Sequence, residues 1–163
     1  MAIEFKVNGL DKLEATNDEM IKWAKRPFNG KSALRIRQKF TEMNKQAFNT
    51  KGQSIGESWP SLSPIYSAWK SRNYPKRPML VLKGDLKASV TKPTSRNLIF
   101  NRGGGKMLTL GSRVPYANAH NYGNKKLPKR TFIKMTQKTA EVFTAEMTRD
   151  LIVAMNGSDK WQG

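Results

Sequence analysis

The chain has no cysteine and a single histidine, His120, in 163 residues. Without thiols there is neither a disulfide framework nor a thiolate metal site. One imidazole cannot build a multi-histidine zinc centre, so carboxylates would have to hold most of any metal's coordination sphere. Carboxylates are scarce as well: 12 acidic residues stand against 30 lysines and arginines, a formal charge of +18. Asp11, Glu14, Asp18 and Glu19 fall on expected helix faces, where acids serve as solvated counter-charges. No apolar run approaches the ~18 residues of a bilayer span, and the N-terminal residues lack the charged-then-apolar order of an export signal. No internal repeat is visible. The expectation is a chain made in a cytoplasm, with no redox chemistry, no cofactor, no metal and no membrane span.

A cationic surplus of this size repels other copies of the chain and attracts polyanions. Nucleic acid, an anionic membrane surface and an acidic protein all satisfy it, and charge alone does not choose among them. The length suits one domain with a modest core. A mean hydropathy of −0.66 lies on the polar side, so part of the chain is expected to be exposed or ordered by partners.

Ile3–Val7 alternates apolar and polar residues as a half-buried strand does. Asn8-Gly9 turns the chain, and Asp11 is placed to cap a helix. Leu10, Leu13, Asn17, Met20, Ile21 and Ala24 form one face of that helix, which stops before Pro27. A second helix is expected from about Ser32 to Phe48, with Ala33, Ile36, Phe40, Met43 and Ala47 inward and a basic flank of Arg35, Arg37, Lys39 and Lys45. Periodicity then disappears over residues 49–63, which read as a mobile arm. Trp59 and Leu62 within it are too apolar to stay in water, and either fold back on the core or are buried on assembly. Ser63-Pro64 has the form of an N-cap and first helical turn. That short helix holds Tyr66, Trp69 and Lys70 and stops before Tyr74-Pro75.

Met79–Leu82 is a compact apolar run, and Lys83-Gly84-Asp85-Leu86 turns into a short element reaching Val90. A hairpin is expected over residues 98–110, with Leu98–Phe100 and Met107–Leu110 as strands joined through Gly103, Gly104 and Gly105. Arg102 and Lys106 flank these glycines, but no P-loop Lys-Ser/Thr follows and no helix opens there, so the hairpin is the stronger reading. The stretch Gly111–Phe132 is too hydrophobic for a free loop and too punctuated for regular structure. A long helix with Phe132, Met135, Thr139, Ala140, Phe143, Met147, Leu151 and Ala154 on one face runs to about Met155. Residues 1–155 thus form one domain, and 156–163 a polar tail carrying Trp161.

Little in this pattern carries catalysis. Asp85 and His120 are the only candidates in a punctuated region, and sequence does not bring them together. A packed histidine is the better reading of His120, and no catalytic residue is assigned. No zinc-finger, single-strand RNA-binding or KH signature is present, and neither the basic nor the aromatic residues gather into a platform.

Four segments in order carry a family resemblance. Gly56–Pro64 with Trp69-Lys70 resembles the "G-x-x-W-x-P/x-L-S-x-x-T/Y…K" segment of phage virion morphogenesis (tail-completion) proteins of Mu-like and P2-like phages. Leu80–Ser89 resembles their "L-x-x-T/S-G-x-L-x-x-S", with Lys83 in place of the usual hydroxyl residue. Leu110-Gly111, Tyr116-Ala117, His120 and Gly123 follow "I-G-x…Y-A-x-x-H-x-x-G", and Pro128–Phe132 follows "P-x-R-x-F". The likeness covers roughly residues 32–155. It singles out Trp59, Leu62, Lys70, Leu82, Gly84, Leu86, Gly111, Tyr116, Ala117, His120, Gly123, Pro128, Arg130 and Phe132 as structural or interface positions.

The resemblance implies an α+β fold: a small antiparallel sheet packed with helices, a long C-terminal helix and extended loop arms. Such subunits close into a ring, commonly of six copies, at the neck of the virion. The ring terminates the tail, with a connector protein on the head side, a tail-tube or sheath protein on the tail side, and double-stranded DNA passing through. Residues 49–63 and Gly103–Gly105 would be inter-subunit arms, since head-to-tail ring contacts join unlike faces. Six copies at +18 apiece would put roughly a hundred positive charges on the ring, against on the order of 24 phosphates in a lumen ~40 Å deep. A conduit that gripped its DNA so hard would stall it, so much of the basic surface is expected to face acidic neighbours. In this reading Gly111–Phe132 is a joint between sheet and last helix, and Arg130 makes a buried or inter-subunit hydrogen-bonded contact. The competing class is a basic nucleic-acid-binding protein that forms no ring.

Overall fold

A computed structural model describes residues 10–156 of the chain. The expected Ile3–Val7 strand and the Trp161 tail lie outside the described residues. Six helices and one two-stranded antiparallel sheet make an α+β fold: α1 (Leu10–Lys25), α2 (Ser32–Asn49), α3 (Pro64–Asn73), α4 (Asp85–Thr91), β1 (Leu98–Asn101), β2 (Thr109–Ser112), α5 (Ala117–Tyr122) and α6 (Gln137–Met155). No described helix is long and apolar enough to cross a membrane.

Helix α2 is the axis. Ala33, Ile36, Phe40, Ala47 and Phe48 are buried along it, packing against α4 on one side and α6 on another. Its basic flank is partly neutralised. Arg35 donates from Nε to Glu146 and from Nη2 to Asp150, both on α6, and the Ser32 amide donates to Asp150 at 2.7 Å. These bonds clamp the start of α2 to the end of α6, so the two helices run antiparallel. The partners lie more than a hundred residues apart, beyond the reach of any local pattern.

Three expectations need correction. Helix α1 begins at Leu10, so Asp11 lies inside its first turn and does not precede it. Its inward side chains include Thr16, Met20 and Trp23, while Asn17, Ile21 and Ala24 are exposed. The aromatic Trp23 buries more apolar area than Ile21 or Ala24 and decides the helix's rotation toward α6. The last helix starts at Gln137, with the Thr136 hydroxyl accepting from the Thr139 amide. Residues 131–136 have no regular secondary structure, Phe132 is buried, and Met135 and Ala140 are exposed. Phe132 and Met135 share helical spacing with the α6 face, and only the cap at Thr136 separates the two stretches.

The expected hairpin is present, but its second strand is Thr109–Ser112 and not Met107–Leu110, with Leu98 opposite Ser112 and Asn101 opposite Thr109. Its glycines form a tight turn, of which Gly105 is buried against the α1–α2 connection, where the Phe28 amide donates to Gly105 O at 2.9 Å. Gly103 and Gly104 remain exposed. Residues 49–63, expected as an arm, lie partly against their own chain. Ile55 and Trp59 are buried, and the Trp59 indole Nε1 donates to Thr131 O at 2.6 Å. Trp59 meets Phe48 edge-on at 5.4 Å, and Phe48 meets Phe132 at 5.7 Å. Gly52 permits this return: its φ is +91°, and a Cβ there would lie 2.6 Å from Trp59 Nε1.

Candidate functional site

Helix α3, like α5, packs broadly against no other element among the described residues. Its N-cap is the one the sequence predicts, with the Ser63 hydroxyl accepting from the Tyr66 amide at 3.4 Å. Ile65, Tyr66 and Trp69 are exposed on it, and only Lys70 is buried. The Lys70 ammonium donates to Pro78 O at 2.6 Å. That bond ties α3 to the loop leading into Leu80, whose φ of +57° turns the chain sharply toward α4.

Opposite stands the Gly111–Phe132 stretch. Val114 and Ala117 enter the core, while Tyr116 stays exposed. Helix α5 ends at Gly123, whose φ of +75° and ψ of 169° belong to backbone that only glycine adopts readily. A Cβ there would lie 2.8 Å from the Lys129 amide nitrogen. The chain folds back, and the Arg130 amide donates to His120 O at 2.8 Å. Asn121 fastens the return: its Oδ1 accepts from the Phe132 and Ile133 amides, both at 2.9 Å, and its Nδ2 donates to Ile133 O. Sequence reasoning assigned Asn121 no role, because a buried side-chain amide that pairs with a distant stretch of backbone has no local signature.

This return carries Arg130 to the segment after Trp59. The guanidinium is buried and donates from Nε to Pro60 O at 2.9 Å and from Nη2 to Ser61 O at 2.8 Å. The contact expected of Arg130 is therefore buried and within the chain.

Between these walls lies a cleft of about 1010 Å³. Of the positions singled out by resemblance, Leu62, Lys70, Leu82, Gly84, Leu86, Tyr116, His120, Pro128 and Arg130 line it. The other five do not. Trp59, Ala117 and Phe132 are in the hydrophobic core just behind, Gly111 lies in β2 opposite Ile99, and Gly123 is the stop of α5. Gly103–Gly105 is elsewhere, at the α1–α2 connection. Tyr66, Leu80 and Leu127 also line the cleft and were not singled out as site positions. Only the folded chain shows that they face it.

The electrostatics follow from burial. Desolvation lowers the pKa of Lys70, and it lowers that of Arg130 against a small opposing effect of Tyr66. Burial, then the neighbouring Arg130 charge, lower the pKa of His120 and favour its neutral form. The imidazole Nδ1 is buried without a hydrogen-bond partner among the described residues. Burial, then the nearby Asp85 carboxylate, raise the pKa of the Tyr116 phenol. Asp85 and His120 thus border one cleft, which sequence alone did not reveal, but no hydrogen bond joins them among the described residues. Among the described residues, no cluster of three or more His, Asp or Glu side chains could hold a metal ion. The arrangement suits binding: apolar walls, fixed cations and a neutral imidazole.

Compared with protein-family models, curated proteins and solved structures, the chain matches none.

Proposed function

We propose that this chain is a structural virion protein of the phage neck. In this reading it is a ring-forming subunit that terminates the tail and joins it to the head connector while DNA passes through. One observation carries the reading: the four segments that resemble tail-completion proteins lie up to about seventy residues apart in sequence, yet all four reach the walls of one cleft through Leu62–Lys70, Leu82–Leu86, Tyr116–His120 and Pro128–Arg130. Segments that recur together without a reaction to perform are expected to share a folding or an assembly task. The exposed Ile65, Tyr66 and Trp69 beside the cleft, and Ile152, Val153 and Met155 near the end of α6, supply apolar surface of the kind that subunit contacts cover.

The charge of +18 favours a second reading, a nucleic-acid-binding protein without a ring. Native mass spectrometry and electron microscopy of the full chain, alone and with isolated tails, separate the two. Rings, or subunits that add only to tail ends, are expected. Monomers that shift duplex DNA at physiological salt, with log affinity falling steeply with log salt, would replace the first reading with the second.

A further inference from the structure

We infer that the cleft is a docking groove for an extended segment of a partner protein that presents a carboxylate flanked by bulky apolar side chains. The inference stands on the cleft's own chemistry and does not depend on the neck assignment.

The floor of the cleft holds two cations with no counter-ion. Lys70 is 5% exposed and Arg130 is 4% exposed. No carboxylate lies within ion-pair distance of either among the described residues. Both use part of their hydrogen-bonding capacity on backbone carbonyls: Lys70 on Pro78, and Arg130 Nε and Nη2 on Pro60 and Ser61. An ammonium has three donors and a guanidinium five, so two N–H groups on Lys70 and three on Arg130, the Nη1 pair and one on Nη2, remain for a ligand. A buried charge without a partner is costly, and an incoming carboxylate removes that cost through charge-assisted hydrogen bonds.

The walls name the rest of the ligand. Leu62, Leu80, Leu82 and Leu127 make them apolar, and Lys83 and Lys126 on the rim outnumber the single acid Asp85. At about 1010 Å³ the cleft sits at the top of the range for small-molecule pockets, roughly 300–1,000 Å³. It fits several residues of peptide, with apolar side chains on the leucines and the carboxylate on the floor. Duplex DNA has the charge but no apolar groups for these walls, and it meets proteins mainly through exposed cations. A second copy of the chain is the poorer match, because it offers 12 acidic residues against 30 basic ones.

The test is selection of a random short-peptide display library on the full chain, with duplex DNA and inorganic phosphate as competitors. Enriched peptides are expected to hold Asp or Glu between Leu, Ile, Phe or Trp. For a synthetic copy of one, changing its acid to the amide should weaken binding by about tenfold or more, near 1.4 kcal/mol. The partly exposed wall and rim variants Leu127→Ser and Lys83→Glu/Lys126→Glu should weaken it as well, while their urea unfolding midpoints stay at the wild-type value. Any of four results would overturn the inference: no enrichment over the Leu127→Ser chain, enrichment of basic or wholly polar peptides, displacement by phosphate or DNA, or self-association that Leu127→Ser abolishes and the peptide does not block.

Discussion

Removing the Asn121 side-chain amide should loosen the joint that builds the cleft, and the structure sets the size of the effect. Asn121 is 5% exposed and accepts from two backbone amides, those of Phe132 and Ile133. In Asn121→Ala the Phe132 amide, in a residue only 1% exposed, keeps no acceptor and reaches no water. An unsatisfied buried donor costs ~1–3 kcal/mol. The Ile133 amide is half-buried and recovers part of its loss from solvent. Together the change is expected to destabilise the chain by about 2–4 kcal/mol, a large part of the ~5–15 kcal/mol typical of a domain. Urea unfolding should show a lower Cm at unchanged m, and Tm should fall by on the order of 10 °C. Asn121→Leu, similar in size but apolar, separates hydrogen bonding from packing and should cost nearly as much. If either variant unfolds within ~0.5 kcal/mol of the parent, the range of an ordinary surface change, the role assigned to Asn121 is mistaken.

Gly123→Ala places a Cβ against the Lys129 backbone at positive φ, with strain of ~1–3 kcal/mol from the dihedrals alone. Thermal unfolding should show at least that loss, and an unchanged Tm would mean the turn is not built as described. Acid unfolding tests the α2–α6 clamp. Burial pushes the Asp150 pKa up, but hydrogen bonds from Arg35 and Ser32 outweigh it and hold the carboxyl below its ordinary value. Its contribution is therefore fully present above about pH 4, the unfolded value, and is lost as pH falls through the lower folded pKa. Asp150→Asn should flatten the stability–pH curve in that acid window, and an unaltered slope below about pH 4 would rule out the clamp as its source.

Local chemistry determined much of this molecule before any contact was known. Ser63-Pro64 starts α3, the three glycines make the hairpin turn, and the apolar period of Ala33, Ile36, Phe40 and Ala47 marks α2. Each depends on neighbours within a few residues, where dihedral limits and capping hydrogen bonds act. The +18 charge pointed equally early to an acidic or polyanionic partner. Tertiary structure decided the rest. Periodicity could not show that Phe132 lies before α6, which begins at Gln137, because a buried loop residue can fall in phase with a following helix. It could not seat Trp59 on Thr131, pair Arg35 with Asp150, or hold the Phe132 amide on the Asn121 side chain, since those contacts span from 11 to more than 100 residues. Nor could it show that Lys70, from a helix with little packing of its own, and Arg130, from a strap behind α5, are buried at the floor of one cleft without a carboxylate between them. That convergence of charge and burial exists only once the chain has folded.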